Sequence, residues 1–150
     1  MDFSALNLPG TYLADWDRDL ARIPRDAREA TRRWASSQHV AAINAGKTAK
    51  EGTASAHRLT IRARVFGDLG AGIDLTAAEL RTQATELTAE ADAALTAAGG
   101  ELTSRSHVPR CKAEVLHEIA DKLDECTAAL TDETVAEWRK TAAWYHGQES

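Results

Sequence analysis

The chain has 150 residues, 43% of them hydrophobic and 27% charged, and a net charge of −5 at pH 7. That length suits one domain with a buried core, and no segment approaches the roughly 20 apolar residues that cross a bilayer. The N-terminus lacks the basic and apolar regions of a signal peptide. We therefore expect a cytoplasmic protein with no membrane partner, organised as a single helical domain over residues 1–150.

Charge is unevenly distributed along the sequence. Residues 1–70 carry a net charge of +3, whereas residues 71–150 carry −8. Such asymmetry is typical of an interaction surface, and it is equally typical of two halves that match each other within one molecule. The sequence leaves both interpretations open.

An arm over residues 1–10 precedes two predicted helices. Residues 11–23 have helical spacing of apolar residues. Pro24 ends or kinks that helix, because proline lacks the N–H that a helix interior requires. A second helix is predicted over residues 24–45, with proline at its start and Gly46 just beyond its end.

Arginines recur at steps of three and four along these two helices and the segment that follows. The candidate basic patch consists of Arg18, Arg22, Arg25, Arg28, Arg32, Arg33, Arg58 and Arg62. Such clusters bind phosphate in nucleic-acid-binding proteins. A helix-turn-helix alignment fails, however, because its third core position falls on Gly52, which has no side chain to pack. The alternative is that the arginines pair with the acidic outer face of residues 114–125.

Residues 46–53 are predicted to form a linker or turn. Gly46-Lys47-Thr48 resembles the end of a phosphate-binding loop. That motif requires a glycine at position 41, where this sequence has Ala41, and a strand before it. We therefore reject nucleotide binding through this motif.

Residues 58–66 fit both a helix and a strand. Helical spacing places Leu59, Ala63, Phe66 and Leu69 inward. It places Arg58 and Arg62 outward, whereas as a strand the same run alternates apolar and polar residues. We favour a helix because no second convincing strand is present to satisfy the backbone of a lone strand.

A long antiparallel hairpin, over residues 76–98 and 107–130, is predicted at the centre of the fold. Thr76 and Glu79 form a capping box, and Gly99-Gly100 ends the first arm. The first arm has the stripe Leu80, Ala84, Leu87, Ala91, Leu95 and Ala98. The second has Val115, Ile119, Leu123, Cys126 and Leu130. Alanines facing branched residues would allow the two helix axes to approach closely.

A last helix is predicted from Thr131, which can act as its N-cap. Trp144 lies beside the apolar stripe of that helix, and an exposed tryptophan is a common anchor in interfaces. Trp144 and Tyr145 are therefore the candidate interface. The complete prediction is an all-α, single-domain bundle of five or six helices around the long hairpin.

Residues typical of catalysis or metal binding are scattered. Glu114 and His117 have the Glu-x-x-His spacing of di-iron bundles, but no second pair exists and both are predicted to face solvent. His107 and Cys111 share one helix face, yet two ligands do not complete a zinc site. We expect no catalytic residue, no cofactor and no metal. Cys111 and Cys126 lie about 22 Å apart on one predicted helix, too far for an internal disulfide.

The C-terminal sequence Tyr145-His146-Gly147-Gln148-Glu149 resembles the Tyr-x-x-x-Asp/Glu tail signal of type VII secretion substrates, which are helical hairpins. That family carries Trp-x-Gly at its hairpin turn. The corresponding turn here is Ala98-Gly99-Gly100, without tryptophan, so we do not assign the chain to the family.

The sequence as a whole favours a non-enzymatic interaction factor. We expect an assembly, adaptor or regulatory protein that binds a protein partner or self-associates, and its size is consistent with a phage or mobile-element origin. The alternative is a nucleic-acid-binding protein that uses its arginine-rich first half.

Overall fold

A computed structural model describes residues 26–131 together with residues 133, 136, 137, 140 and 144. Within these ranges the chain forms helices and no strands, which confirms the all-α class. The helices are α1 (Ala27–Gly46), α2 (Ala54–Ala71), α3 (Ala77–Ala97) and α4 (Ser104–Ala129).

The expected number of five or six helices is not matched by these four. One further predicted helix, over residues 11–23, lies outside the described residues. The other, from residue 131, lies largely outside them, although residues 133, 136, 137, 140 and 144 are helical.

α1 begins after Asp26, whose carboxylate accepts a hydrogen bond from the Glu29 N–H at 2.9 Å. The predicted start at Pro24 lies outside the described residues. The prediction that Gly46 follows the helix is wrong, because Gly46 is its last residue. Lys47 keeps right-handed geometry, with φ −65° and ψ −26°, so no left-handed glycine is needed there. The connection to α2 is residues 47–53.

α2 confirms the helical interpretation of residues 58–66. The Thr53 hydroxyl caps it by accepting the Ala56 N–H at 3.1 Å. Its buried side chains are Ile61 and Phe66, whereas Leu59, which was expected to face the core, is half-buried. The inward face is therefore rotated relative to the predicted stripe.

α3 and α4 form the predicted antiparallel hairpin. The Thr76 hydroxyl accepts the Glu79 N–H at 3.2 Å, which is one half of the predicted capping box. The return contact from the Glu79 carboxylate to the Thr76 N–H does not form among the described residues. Gly99 and Gly100 have positive φ values of 65° and 87°, and the Gly100 N–H donates to the Leu95 carbonyl at 2.8 Å. This is the glycine-dependent helix ending that the sequence indicated.

α4 begins at Ser104, three residues earlier than the predicted start at 107. The Ser106 hydroxyl accepts the Thr103 N–H at 3.2 Å, which stabilises the earlier start. Pro109 is consequently the sixth residue of the helix and does not lie in its first turn.

α4 is the central helix of the described bundle, because it contacts α1, α2 and α3. Ten of its residues are buried, including Ala113 and Ala120, which lie beside the predicted stripe. The main core joins Phe66 of α2 and Leu80 of α3 to Val115 and Ile119 of α4. Burial on several sides explains why one apolar stripe did not describe this helix completely.

α1 and α2 pack through small residues. A Cβ at Gly70 would lie 2.7 Å from Ser36 Oγ, and a Cβ at Gly67 would lie 2.9 Å from His39 Nδ1. The same His39 nitrogen contacts the Ala63 carbonyl. Two glycines on one face of α2 therefore set the distance between these helices.

Candidate functional site

The described arginines of the candidate basic patch all contact their own chain. Arg28 donates to the Ile73 and Asp74 carbonyls at 3.4 and 3.3 Å, and Arg32 donates to the Gly70 carbonyl at 3.3 Å. Arg28 therefore holds α1 against the 72–76 connection between α2 and α3, and Arg32 holds α1 against the last turn of α2. Arg33 pairs with Glu29 within α1 at 2.9 Å. Arg18, Arg22 and Arg25 lie outside the described residues.

The remaining two patch arginines bind the acidic face of α4. Arg58 Nε lies 3.0 Å from Glu114, and Arg62 makes two contacts with Glu118, at 2.6 and 3.0 Å. The two carboxylates are four residues apart, as are the two arginines, so the helices meet in matching register. The sequence left two partners open for these arginines, phosphate or the acidic face of residues 114–125. In the structure both bind that acidic face.

The prediction that Arg62 faces outward is wrong. Only 14% of its side chain is exposed, and its guanidinium also lies over the Phe66 ring, 5.2 Å from the centroid. The hydrogen bond to Glu118 raises the pKa of Arg62 despite its partial burial, so it stays charged. The covered Arg62 guanidinium binds both carboxylate oxygens of Glu118, and this two-point contact fixes how α2 packs on α4.

A second set of ion pairs, which was not predicted from the sequence, joins the arms of the α3–α4 hairpin. Arg81 binds Asp121 at 2.9 Å and Asp124 at 2.6 Å, and Arg110 binds Asp92 at 2.7 Å. These contacts match early positions of one arm to late positions of the other, as antiparallel helices require. The predicted antiparallel hairpin places residue 81 opposite residues 121–124, so the pairs of Arg81 could have been predicted from it.

An open cleft of about 680 Å³ lies at one end of the bundle. It is formed by the end of α1, the 47–53 connection, the first turns of α2 and α4, and the turn before α4. Its lining includes Glu51, Ala54, His57, Leu102, Ser104 and His107. The cleft therefore assembles from two segments that are distant in the sequence.

His57 and His107 face each other at this cleft, with ring centroids 5.3 Å apart. His107 Nε2 lies 3.6 Å from the Cys111 sulfur, which agrees with the predicted shared helix face. Within the described part of the chain, no group of three or more His, Cys, Asp or Glu side chains could hold a metal ion. Glu114, which was considered as a metal ligand, binds Arg58, and His117 is exposed.

Both cysteines are free and buried. Burial raises the pKa of the Cys111 thiol, and the neighbouring Glu114 raises it further. Burial likewise raises the pKa of the Cys126 thiol, partly offset by a hydrogen bond to Thr31. Both thiols are therefore held in the neutral form, which is a poor nucleophile.

Large apolar side chains are exposed at several places on the described surface: Val40, Ile43, Leu102 and Trp144. Leu102 is 57% exposed at the tip of the α3–α4 hairpin, where it also lines the cleft. Trp144, the first candidate interface residue, is 58% exposed, and Tyr145 lies outside the described residues. Val40 and Ile43 share one face of α1, three residues apart.

None of the described helices combines the length and apolarity that a membrane-spanning helix needs. No protein-family model, no curated protein and no solved structure matches this chain.

Proposed function

We propose that this protein is a non-enzymatic interaction factor that binds another protein through exposed apolar side chains of its helical bundle. Its role would be that of an assembly, adaptor or regulatory protein. The observation that carries the proposal is Leu102, a large apolar side chain exposed on the rim of an open cleft. An apolar residue beside a concave surface can anchor a partner, because burying it removes apolar area from water.

The arginine contacts support this proposal over one based on phosphate. The five described patch arginines contact carbonyls or carboxylates of the same chain. A guanidinium that leaves such a partner to bind phosphate leaves that carbonyl or carboxylate without its hydrogen bond, which costs free energy. Their positive charge therefore serves the packing of the helices.

Val40 and Ile43 provide a second apolar surface, on α1. Self-association through this face would bury both side chains at once, since they lie three residues apart on one helix. The proposal therefore includes oligomerisation as one form of partner binding.

The proposal is tested with the full chain and three variants. Leu102→Ser removes the apolar anchor, Val40→Ser with Ile43→Ser removes the α1 surface, and Ala89→Ser on the exposed side of α3 is the control. Peptides selected from a random display library measure heterologous binding, and sedimentation velocity measures self-association. We expect Leu102→Ser to abolish capture of the selected peptides, or the α1 variant to dissociate an oligomer, with the control unchanged.

The proposal is contradicted by a chain that remains monomeric and selects no peptide whose binding depends on either surface. Nucleic-acid binding through the candidate basic patch is the alternative function, and anisotropy with labelled duplex DNA and single-stranded RNA tests it in the same preparations. Tight binding that falls steeply with salt, and that Leu102→Ser leaves unchanged, would favour the alternative.

A further inference from the structure

We infer that the partner docks at the cleft as an acidic protein segment that also carries an apolar side chain. The docking surface, here called the cleft end, consists of residues 46–60 and 101–108. The inference rests on the proposed function, because it names the chemistry of the partner that Leu102 would contact.

Charge is the first argument for an acidic occupant. The cleft end carries four cations, which flank the cleft and do not line it, against Glu51 in the lining and Glu101 beside it. The cations are Lys47, Lys50, Arg58 and Arg105. Arg58 is already bound to Glu114, but no carboxylate among the described residues lies within 4.0 Å of Lys47, Lys50 or Arg105. In a chain of net charge −5, this end has a net positive charge and unpaired cations. Such complementarity favours an acidic partner and repels a basic one.

The helix directions add to this positive field. α2 begins at Ala54 and α4 begins at Ser104, and both residues line the cleft. The first N–H groups of a helix have no acceptor within the helix, and the helix dipole is positive at that end. His57 and His107, each the fourth residue of its helix, add ring N–H donors at the same cleft. Glu51 is the one charged side chain of the lining and opposes these contributions.

The apolar rim argues for a protein segment and against a small anion. Leu102 is exposed beside the cleft, and an inorganic anion would leave it in water. A peptide with carboxylates around a leucine satisfies the cations and covers Leu102 at the same time. The open shape of the cleft also admits an extended chain.

The experiment uses the full chain and short fluorescent peptides measured by anisotropy. One peptide places a leucine between runs of glutamate, the second replaces each glutamate by glutamine, and the third replaces each by lysine. We expect the glutamate peptide to bind about tenfold more tightly than the glutamine peptide. The lysine peptide should not bind, and added salt should weaken binding of the glutamate peptide.

Matched charge variants locate the site. Lys50→Gln with Arg105→Gln removes two cations from the cleft end. Arg64→Gln with Lys112→Gln removes two exposed cations from elsewhere on α2 and α4, and therefore changes the net charge equally. We expect the first pair to weaken binding of the glutamate peptide by about fivefold to tenfold, and the second pair to have a smaller effect. Equal effects of the two pairs would overturn the inference.

The remaining outcomes separate this inference from the proposed function. If the display library selects peptides that depend on Leu102 but are not enriched in acidic residues, the inference fails and the proposed function stands. If no peptide depends on Leu102 or on the α1 surface, and the chain is monomeric, both fail. If an oligonucleotide binds more tightly than the glutamate peptide and depends on Lys50 and Arg105, the occupant is nucleic acid and the inference is overturned.

Discussion

Gly67 illustrates how a single residue sets the distance between two helices. A Cβ at this position would lie 2.9 Å from His39 Nδ1 and 3.0 Å from Cε1, closer than side chains normally pack. The imidazole cannot simply rotate away, because its Nδ1 contacts the Ala63 carbonyl. The absence of a side chain at Gly67 is therefore what admits His39 between α1 and α2.

We expect Gly67→Ala to lower the free energy of unfolding by about 1 kcal/mol or more, even though alanine is the better helix former. The loss arises because His39 must move and give up its contact with Ala63. Gly46→Ala is the control, since no heavy atom lies within 4 Å of a Cβ there; it should leave stability unchanged or raise it by up to about 1 kcal/mol. Urea unfolding measures both, and equal effects of the two substitutions would contradict the packing argument.

The buried thiols give a pH-dependent prediction. Burial raises the pKa of Cys111 and Cys126 above their ordinary value of 9.0, so the folded state keeps protons that the unfolded state releases above that pH. Stability from this source is complete below about pH 9 and decreases as pH rises further. We therefore expect the free energy of unfolding to fall as the pH rises above about 9, the pKa of the thiols in the unfolded chain.

Replacing both thiols isolates this contribution. Cys111→Ala with Cys126→Ala should be less stable at neutral pH, by about 1 kcal/mol or more because of the lost volume. In the alkaline range the difference should narrow because the stability of the variant depends less on pH than that of the wild-type chain. An unchanged alkaline slope in the variant would show that the thiols do not contribute.

At the scale of elements, ion pairs that differ in burial join α2 to α4. Arg62 is mostly covered and makes two contacts with Glu118, whereas Arg58 is nearly half exposed and makes one contact with Glu114. The two carboxylates are equally exposed. Water and salt screen the exposed pair, and its long side chains must be immobilised to form it. The pair with the covered arginine, Arg62–Glu118, has better geometry, and its guanidinium is screened less by water.

A double-mutant cycle should rank the two pairs. We expect a coupling of about 1–2 kcal/mol between Arg62→Met and Glu118→Gln, and about 0.2–1 kcal/mol between Arg58→Met and Glu114→Gln. Each coupling is obtained from urea unfolding of the two single variants and the double variant. If the exposed pair couples more strongly than the covered pair, burial does not govern the strength of these contacts.

The sequence predicted the elements that depend on local signals. Thr76 and Gly99-Gly100 stabilise the ends of α3 as expected, since caps and left-handed glycines act within a few residues. It did not predict that Arg62 would be covered, because a helical stripe identifies an inward face but not the helices that pack against it. The same limit hid the additional buried face of α4, whose alanines are also good helix formers and so carry no distinct signal.

At the scale of the whole molecule, opposite charges meet where the α1–α2 hairpin packs on the α3–α4 hairpin. Residues 26–75 carry a net charge of +3 and residues 76–131 carry −5. Part of this asymmetry is used within the fold, since Arg58 and Arg62 bind Glu114 and Glu118. The cleft could not be predicted from sequence, because His57 and His107 meet only when both hairpins are packed.

The internal use of the arginines leads to a prediction about nucleic acid. Arg28 holds the 72–76 connection through the Ile73 and Asp74 carbonyls, and Arg32 holds the last turn of α2 through the Gly70 carbonyl. Arg28→Gln with Arg32→Gln should therefore lower the urea midpoint and should change the affinity for duplex DNA, measured by anisotropy, by less than about threefold. Arg64→Gln, which removes an exposed cation from α2, is the control and should leave the urea midpoint unchanged. Contacts that are needed for folding cannot be removed without a loss of stability. A double variant that keeps its stability but loses most of its affinity for DNA would therefore show that these two guanidinium groups bind phosphate instead.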